Sequence, residues 1–525
     1  MAIFLSGINV PLPGGGDMIK SAAAKRLGLG LSEISTVRVK RQSLDCRKKD
    51  IRFVYTLHVT LNSQKTQRAM EERFGRVQDY TEPEIEYGEK EAGRAVVVGT
   101  GPCGLFAALT LAKHGYRPLV LERGTELPER EKNVGDLISN GILDEESNVC
   151  FGAGGAGAFS DGKLTTRIKD MRAEYVIETL AGLSVPEEAI SSKPHLGTGN
   201  IRKAVSALIG QVTSLGGELL FNCKLSKVFV SQGRLCGITY IKGGIEHRTD
   251  TRALILAIGH SARDTYEMLC SSGIALAPKA FAMGVRIEHR REFIDRAQYG
   301  EAVGSPMLGA AEYRLTAKSG GRGVYTFCMC PGGEVICSAT ENGALAVNGM
   351  SFYERNAENS NSAVVVGVRA GDLGAGSLSG VDFQRTFERA AFVQGFIAPA
   401  QTLGDFMKGS VSQKFGDVKP SYKPGIYFKD LSECLPSFVT NALKEGIKNF
   451  GKQLRGFDMP DAVLTGVETR TSSPVRILRN DDFQALGAEG LFPAGEGAGY
   501  AGGIVSAAAD GMKCAESLMK IYKRQ

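Results

Sequence analysis

The apolar pattern of this chain is densest just after residue 94. Residues 95–98 form a short apolar run, as expected of a parallel strand buried on both faces. Residues 105–113 then carry apolar side chains at helical spacing, and Gly115 ends that stretch. A second apolar strand is predicted at 118–121. Beyond it the pattern predicts helices at 126–146 and 201–215 and strands at 219–221, 227–230 and 235–241. The strongly apolar run 252–258 completes this part as another parallel strand. The unit therefore reads as βαβ, extended by a β-meander and a further parallel strand.

The flanking regions have other rhythms. Residues 1–88 alternate as strands at 3–10, 36–41 and 51–61, with helices at 17–27 and 64–74. The order β-α-β-β-α suggests a ferredoxin-like sandwich. Residues 82–91 are acidic, contain Pro83 and read as a linker. From 276 to 464 strand-like runs are separated by glycine turns, and helices return at 382–394 and 436–450. This is expected to be an inserted α+β substrate domain. The chain closes with a strand at 490–492 and a small-residue helix at 504–519. The expected fold is thus α/β. A Rossmann-like domain (89–275 and 465–525) carries the insertion (276–464) and an N-terminal ferredoxin-like α+β domain (1–88).

Glycines give the first strand its chemistry. Gly99, Gly101 and Gly104 make G-x-G-x-x-G where strand becomes helix. The first permits the tight turn, the second lets backbone approach a pyrophosphate, and the third lets helix pack on strand. The helix N-terminus offers unpaired N–H groups to phosphate. Glu122 ends the second strand about 20 residues on, where an acid can accept ribose hydroxyls. Strand, helix, strand and acid in register point to dinucleotide binding. The run 364–376 imitates a second such site, but its glycines do not fit the spacing, so a strand and surface loop is expected. Residues 148–163, NVCFGAGGAGAFSDGK, form a glycine-rich loop with embedded Phe151 and Phe159 and the polar residues Ser160, Asp161 and Lys163. Such a loop suits close approach to a flat ligand.

Composition changes this picture little. The 525 residues are 43% apolar and 23% charged, and a net charge of +6 is too diffuse to argue for nucleic acid. No apolar run is long enough to span a membrane. The first ten residues read as a strand rather than a signal peptide. Eleven scattered cysteines suggest reduced thiols and a cytoplasmic protein. No metal site is expected. Arg38, Lys40, Arg41, Arg47, Lys48 and Lys49 cluster at the N-terminal hairpin. They read as a solvated turn, with docking of an acidic protein partner as the second reading.

The segments VVVGTGPCGLFAAL, FGAGGAGAFSDGKL, ALILAIGHSARD, ETRTSSPVRI and LFPAGEGAGYAGGI together resemble FAD-binding proteins of the glutathione-reductase type. The likeness is to their bacterial and plastid FAD-dependent dehydrogenases of unassigned substrate. It implies FAD held at Gly99, Gly101, Pro102 and Gly104, with Glu122 at the adenosine ribose. Arg123 and Ser160 join the cofactor site, Val228 meets the adenine through backbone groups, and Gly259 lies near the phosphates. Gly495 and Glu496 match the Gly-Asp of relatives at the ribityl chain, with Glu one methylene longer. Gly503 and Ile504 are implied at the pyrimidine edge of the flavin.

The reaction is less legible. Beside the flavin there is no Cys-x-x-Cys, so a disulfide reductase is not expected. Cys328 and Cys330, two apart in a predicted strand, should share one face. The spacing G-x-G-x-x-G recurs at 152–157 and 497–502, but neither run opens a second βαβ unit, so NAD(P)H would act only as a transient reductant in the substrate cleft. His260 and Lys163 are the candidate catalytic groups, each with a structural role as its rival. Arg470 and Arg476 are candidate anion binders, with pairing to Glu468 as the alternative. The expected function is an FAD-dependent oxidoreductase with non-covalent FAD and a small organic substrate. A flavin-binding regulatory or scaffold protein and an RNA-modifying flavoenzyme are the rivals.

Overall fold

The computed structural model describes residues 2–46, 50–77, 80–185 and 195–524. Its centre is a five-stranded parallel sheet. The strand order is Leu491–Pro493, Leu254–Leu256, Val96–Val98, Leu119–Leu121, Glu218–Leu220. Every residue of the middle three strands is buried, because helices cover one face and the meander with the helix Arg263–Ser271 covers the other. Pro102–Lys113 is packed closely by the C-terminal helix Ile504–Ile521. Strand order reverses beside Val96–Val98: the next strand in sequence lies on one side and Leu254–Leu256 on the other. Ligands gather at the carboxyl ends of strands at such a reversal. The predicted meander forms its own sheet from Cys223–Ser231, Arg234–Lys242 and Ile245–Thr249.

Between Leu254–Leu256 and Leu491–Pro493 the chain builds a seven-stranded sheet. Its long central strands are Phe281–Arg290, Arg322–Cys330 and Asn359–Val368. The helix Ser437–Gln453 packs on it. A two-stranded ladder, Leu276–Pro278 with Val475–Ile477, stands where the chain leaves for this sheet and returns. Phe281–Arg290 has nine buried residues in a row, including Arg286, Glu288 and His289. Each of these three side chains has a partner, as burial demands, although His289 Nδ1 has none. Arg286 meets Glu468, Glu288 accepts from Asn359 and the Ser421 N–H, and His289 bonds the Phe457 carbonyl. The 364–376 imitation is strand and surface loop, and Asp372 there pairs with Arg322.

The N-terminal region follows the predicted element order, but its sheet has three strands, Ile3–Pro11, Arg52–Leu61 and Ile34–Asp45. A ferredoxin-like sandwich needs a fourth. Among the described residues only Arg76 stands in that place, as a single bridge to Ile3. Part of the basic hairpin is turned inward: Lys40 is paired with Glu174 and Glu178 of the helix Met171–Gly182. Arg47, Lys48 and Lys49 lie outside the described residues. No described helix is long and apolar enough to cross a membrane.

The two large sheets are clamped by one buried carboxylate. Glu388, fully buried, receives bidentate bonds from both Arg263 and Arg470. Burial opposes its charge, yet the Arg263 and Arg470 guanidiniums hold its carboxyl well below the usual range. Arg263 also reaches Gln384 and Glu341. Removing one partner of a buried ion cluster strands the others and costs about 3–5 kcal/mol. Glu388→Gln should therefore lower the thermal midpoint by several degrees, read by differential scanning calorimetry. A midpoint equal to wild type would show that the clamp does not support the fold.

Candidate functional site

Three backbone segments converge at the strand reversal. The first is the fingerprint turn, whose glycines are needed for different reasons. Gly99 has φ +102°, and a Cβ there would lie 2.3 Å from the Ala257 carbonyl oxygen. A Cβ on Gly104 would lie 1.8 Å from the Gly99 carbonyl oxygen. Both glycines therefore serve packing within the protein. Gly101 does not. Its φ is −66°, and an added Cβ would meet only Gly155 Cα at 3.8 Å, an ordinary contact. Nothing in the protein requires glycine at 101, which fits a place kept clear for a ligand. Pro102 opens the helix at a position where its missing N–H costs nothing.

The second segment is the glycine-rich loop, held from beneath by a residue the sequence reading missed. Arg130 is fully buried and donates to the carbonyls of Asn148, Val149, Ala153 and Gly155. Burial lowers it to about 10, with Glu122 pulling the other way. Glu122 joins the same loop to the fingerprint. One of its oxygens accepts from the N–H and hydroxyl of Thr100, the other from the N–H groups of Gly124 and Gly152. A ribose hydroxyl at Glu122 would share or displace these donors. Arg123 turns away, bidentate to Asp264, bonded to Glu146 and stacked over Phe151. The Ser160 hydroxyl donates to the Gly157 carbonyl and accepts from the Gly162 N–H, stapling the loop end.

The third segment is the closing turn. Gly503, φ +124°, caps the helix Ile504–Ile521, and a Cβ there would meet nothing within 4 Å. A Cβ on Gly157 would lie 3.5 Å from both Pro102 Cγ and Ile504 Cγ1. Fingerprint helix, glycine loop and closing helix thus meet at one place, with two helix N-termini together. Gly495 is pinned by its N–H bond to Asp510, itself bidentate with Arg479. Gly497 packs against Gly259, where a Cβ would be 2.5 Å from the carbonyl oxygen. Glu496 lies between them. Its carboxylate has no protein hydrogen bond among the described residues, and burial pushes it up to about 7, with Lys279 opposing. An acceptor without a partner beside a clear backbone cradle fits the hydroxyl-bearing chain of a dinucleotide. Val228 sits in the meander opposite Ile238, its side chain in the core.

The remaining candidates separate into different neighbourhoods. His260 Nδ1 is 2.8 Å from Ser261 Oγ, which in turn receives a 3.4 Å bond from Arg470. Burial, then Arg470 and Arg263, hold the imidazole down at about 4, so it is neutral at pH 7. Arg470 is committed to Glu388, Thr340 and Ser261, not to Glu468, which pairs with Arg286. That corrects both readings of Arg470. Lys163 donates to the Met329 carbonyl and pairs with Asp161 at 3.5 Å. Asp161 also receives Ser351 and faces His195 and Arg355; burial opposes its charge, but the Lys163 ammonium, with the contacts to His195 and Arg355, keeps it ionised. Lys163 thus lies in a polar knot between the glycine loop and the second sheet.

Cys328 and Cys330 do not share a face. The ladder slips between Phe327 and Cys330, and Cys328 takes φ +43° in the bulge. Cys328 is exposed and Cys330 buried. A bulge adds one residue to one strand, so spacing of two no longer returns to the same side.

Two experiments address this geometry. Gly101→Ala should fold as wild type but lose FAD affinity, because its methyl group meets the ligand and not the protein. Gly104→Ala should fail at the folding stage, because its Cβ overlaps backbone. Thermal midpoints and FAD dissociation constants for both variants separate the cases, and unchanged FAD affinity in Gly101→Ala would move the phosphate site elsewhere. The second concerns Glu496 in cofactor-free protein. Its pKa is raised on folding, so its favourable contribution is full below about 4.5 and is lost as pH rises through about 7. Glu496→Gln should therefore gain thermal stability relative to wild type between pH 5 and pH 8. A pH-independent difference would contradict the burial of this carboxyl.

Comparison with known proteins adds the family. Residues 280–471 match a domain described as FAD-dependent protein, C-terminal domain-like. Residues 97–128 match an NAD(P)-binding Rossmann-like domain, and residues 6–60 a domain of unknown function. An uncharacterized protein of Clostridium beijerinckii is 46% identical over 533 residues, covering 99% of each chain. The thiamine thiazole synthase of Thermotoga maritima is 26% identical over 142 residues, 27% of this chain and 44% of that one. Among solved structures, a geranylgeranyl bacteriochlorophyll reductase-like protein of Thermoplasma acidophilum is 13% identical. The match covers 82% of this chain and 79% of that one, with a TM-score of 0.37. Escherichia coli quinol fumarate reductase is 11% identical over 82% and 70%, also with a TM-score of 0.37. FAD is the cofactor that the matched domain implies, and the cradle at Gly101 with the unpartnered Glu496 fits it. The chain belongs, over its whole length, to one family with the clostridial protein, and its residues 280–471 carry the FAD-dependent C-terminal domain.

Proposed function

We propose that this chain is an oxidoreductase with non-covalent FAD, acting on a small organic molecule at the junction of the parallel and seven-stranded sheets. The observation that carries the reading is the meeting of Pro102, Gly157 and Ile504 around one place, beside the unpartnered Glu496. When bound, FAD supplies the redox chemistry, and the protein supplies position and electrostatics. The N-terminus of Pro102–Lys113 holds the diphosphate, with Gly101 giving backbone access. Glu496 accepts a hydroxyl of the ribityl chain. The N-terminus of Ile504–Ile521 presents its positive end to charge on the ring.

The chain's own residues also define the place of reaction. His260 is a neutral imidazole next to the Gly259–Gly497 contact, able to accept a proton. Ser261 sets which way the ring faces. Lys163 anchors the glycine loop to the Met329 carbonyl and keeps that wall of the junction in place. Arg470 locks the junction through Glu388. Among the described residues no glycine turn opens a second βαβ unit, so a nicotinamide reductant would enter this junction transiently.

The purified protein should be yellow, and acid precipitation should release all its chromophore as FAD. Anaerobic reduction by NADH, NADPH and a panel of small reductants, followed at the flavin absorbance band, should exceed the rate with free FAD. If none does, the oxidoreductase reading gives way to a flavin-binding regulatory protein.

A further inference from the structure

Cations at the junction of the sheets are mostly saturated. Arg263 and Arg470 share Glu388, Arg286 holds Glu468, and Arg479 holds Asp510. Lys279 and Arg476 differ: neither makes an ion pair among the described residues. Lys279 Nζ has only long contacts, 3.4 Å to Ser472 Oγ, 3.4 Å to the Ala280 carbonyl and 3.5 Å to the Ser473 carbonyl. Arg476 donates one bond of 3.2 Å to the Gly499 carbonyl and lies 5.1 Å from the centre of the Tyr500 ring.

The backbone forces these like charges together. Arg476 stands opposite Ala277 on the tether ladder, and Lys279 follows directly after its other strand. A Cβ on Gly499 would lie 3.1 Å from Lys279 Cδ and 3.2 Å from Arg476 Cα. Both cations therefore flank the turn that carries Glu496. Burial, then Arg476, lowers the Lys279 pKa, while Glu496 acts on it from beyond ion-pair distance. Two cations held side by side with no carboxylate in ion-pair contact repel each other, and an anion between them relieves that repulsion.

We propose that Lys279 and Arg476, with the Ser472 hydroxyl, form a binding subsite for the diphosphate of a nicotinamide dinucleotide that reduces the flavin. This rests on the oxidoreductase reading above. The resident FAD diphosphate has its own helix N-terminus at Gly101. The other glycine turns, at 152–157 and 497–502, are assigned above to the flavin, so a second dinucleotide must have its charge met by side chains. An Arg fork and a Lys point charge are the pair of groups suited to that task. The position, on the tether beside the ribityl turn, lets the rest of the dinucleotide reach into the junction.

The test uses the full-length, FAD-loaded protein. Isothermal titration with inorganic pyrophosphate measures the subsite alone. Stopped-flow reduction by NADH and NADPH measures its use. Lys279→Gln plus Arg476→Gln should weaken pyrophosphate about tenfold or more, as expected for losing charged hydrogen bonds. The same double variant should raise the KM for the nicotinamide and keep the FAD content and the rate of dithionite reduction of wild type. Arg41→Gln, an exposed cation on the N-terminal sheet, should change none of these. Unchanged pyrophosphate binding in the double variant overturns the subsite. Loss of FAD instead of pyrophosphate overturns it in favour of a role at the resident cofactor. Pyrophosphate loss without any nicotinamide reduction in wild type overturns the assignment to a reductant. The oxidoreductase reading itself falls only if no reductant in the panel acts.

Discussion

The site depends on backbone packed against backbone. Gly99 lies against the Ala257 carbonyl, Gly104 against the Gly99 carbonyl, and Gly497 against Gly259. These contacts bring three strand ends and two helix N-termini into one small region. Any side chain at these positions would push the strands apart and scatter the N–H groups that a diphosphate needs. Gly101 is the exception that gives the others meaning. The protein does not fill the room beside it, which fits the diphosphate proposed there.

Such a cradle needs support, because a glycine-rich loop has few side chains of its own to hold it. Arg130 and Glu122 provide it. Arg130 donates to four loop carbonyls, and Glu122 accepts from two different turns. A buried guanidinium without a direct carboxylate partner is costly, and here hydrogen bonds to carbonyls offset that cost. Farther out, Glu388 fixes the second sheet against the first through two arginines. The polar knot around Asp161 fixes the loop to the same sheet. The glycine cradle and the junction of the two sheets are thereby one mechanical unit.

Electrostatics divides that unit into two kinds of place. Where charges are paired and buried, as at Glu388, they hold geometry and leave nothing for a ligand. Where they are unmatched, as at Glu496 and at Lys279 with Arg476, the protein has left acceptors and cations without partners. These three groups lie around the turn from Gly495 to Gly499. Arg470 illustrates the contrast: its charge suggested an anion site, but its donors are committed within the protein.

The sequence by itself determined the parallel strands, the fingerprint helix, the meander and the closing helix. Their signals are local: apolar runs, helical periodicity and glycines at fixed offsets. It also determined where backbone lies tightly against backbone, since only glycine tolerates such distances. Tertiary structure alone decided the partners of the charged groups. Nothing near Arg130 in sequence says that its guanidinium will hold a loop beginning 18 residues later, and Arg470 meets Glu388 from 82 residues away. A bulge, invisible to a period of two, separated Cys328 from Cys330. The fourth strand implied by the N-terminal order is reduced to one bridge at Arg76, because strand number depends on what pairs with an edge. Hydrophobic period and glycine spacing are properties of neighbouring residues, whereas charge pairing and sheet edges depend on residues that only folding brings together.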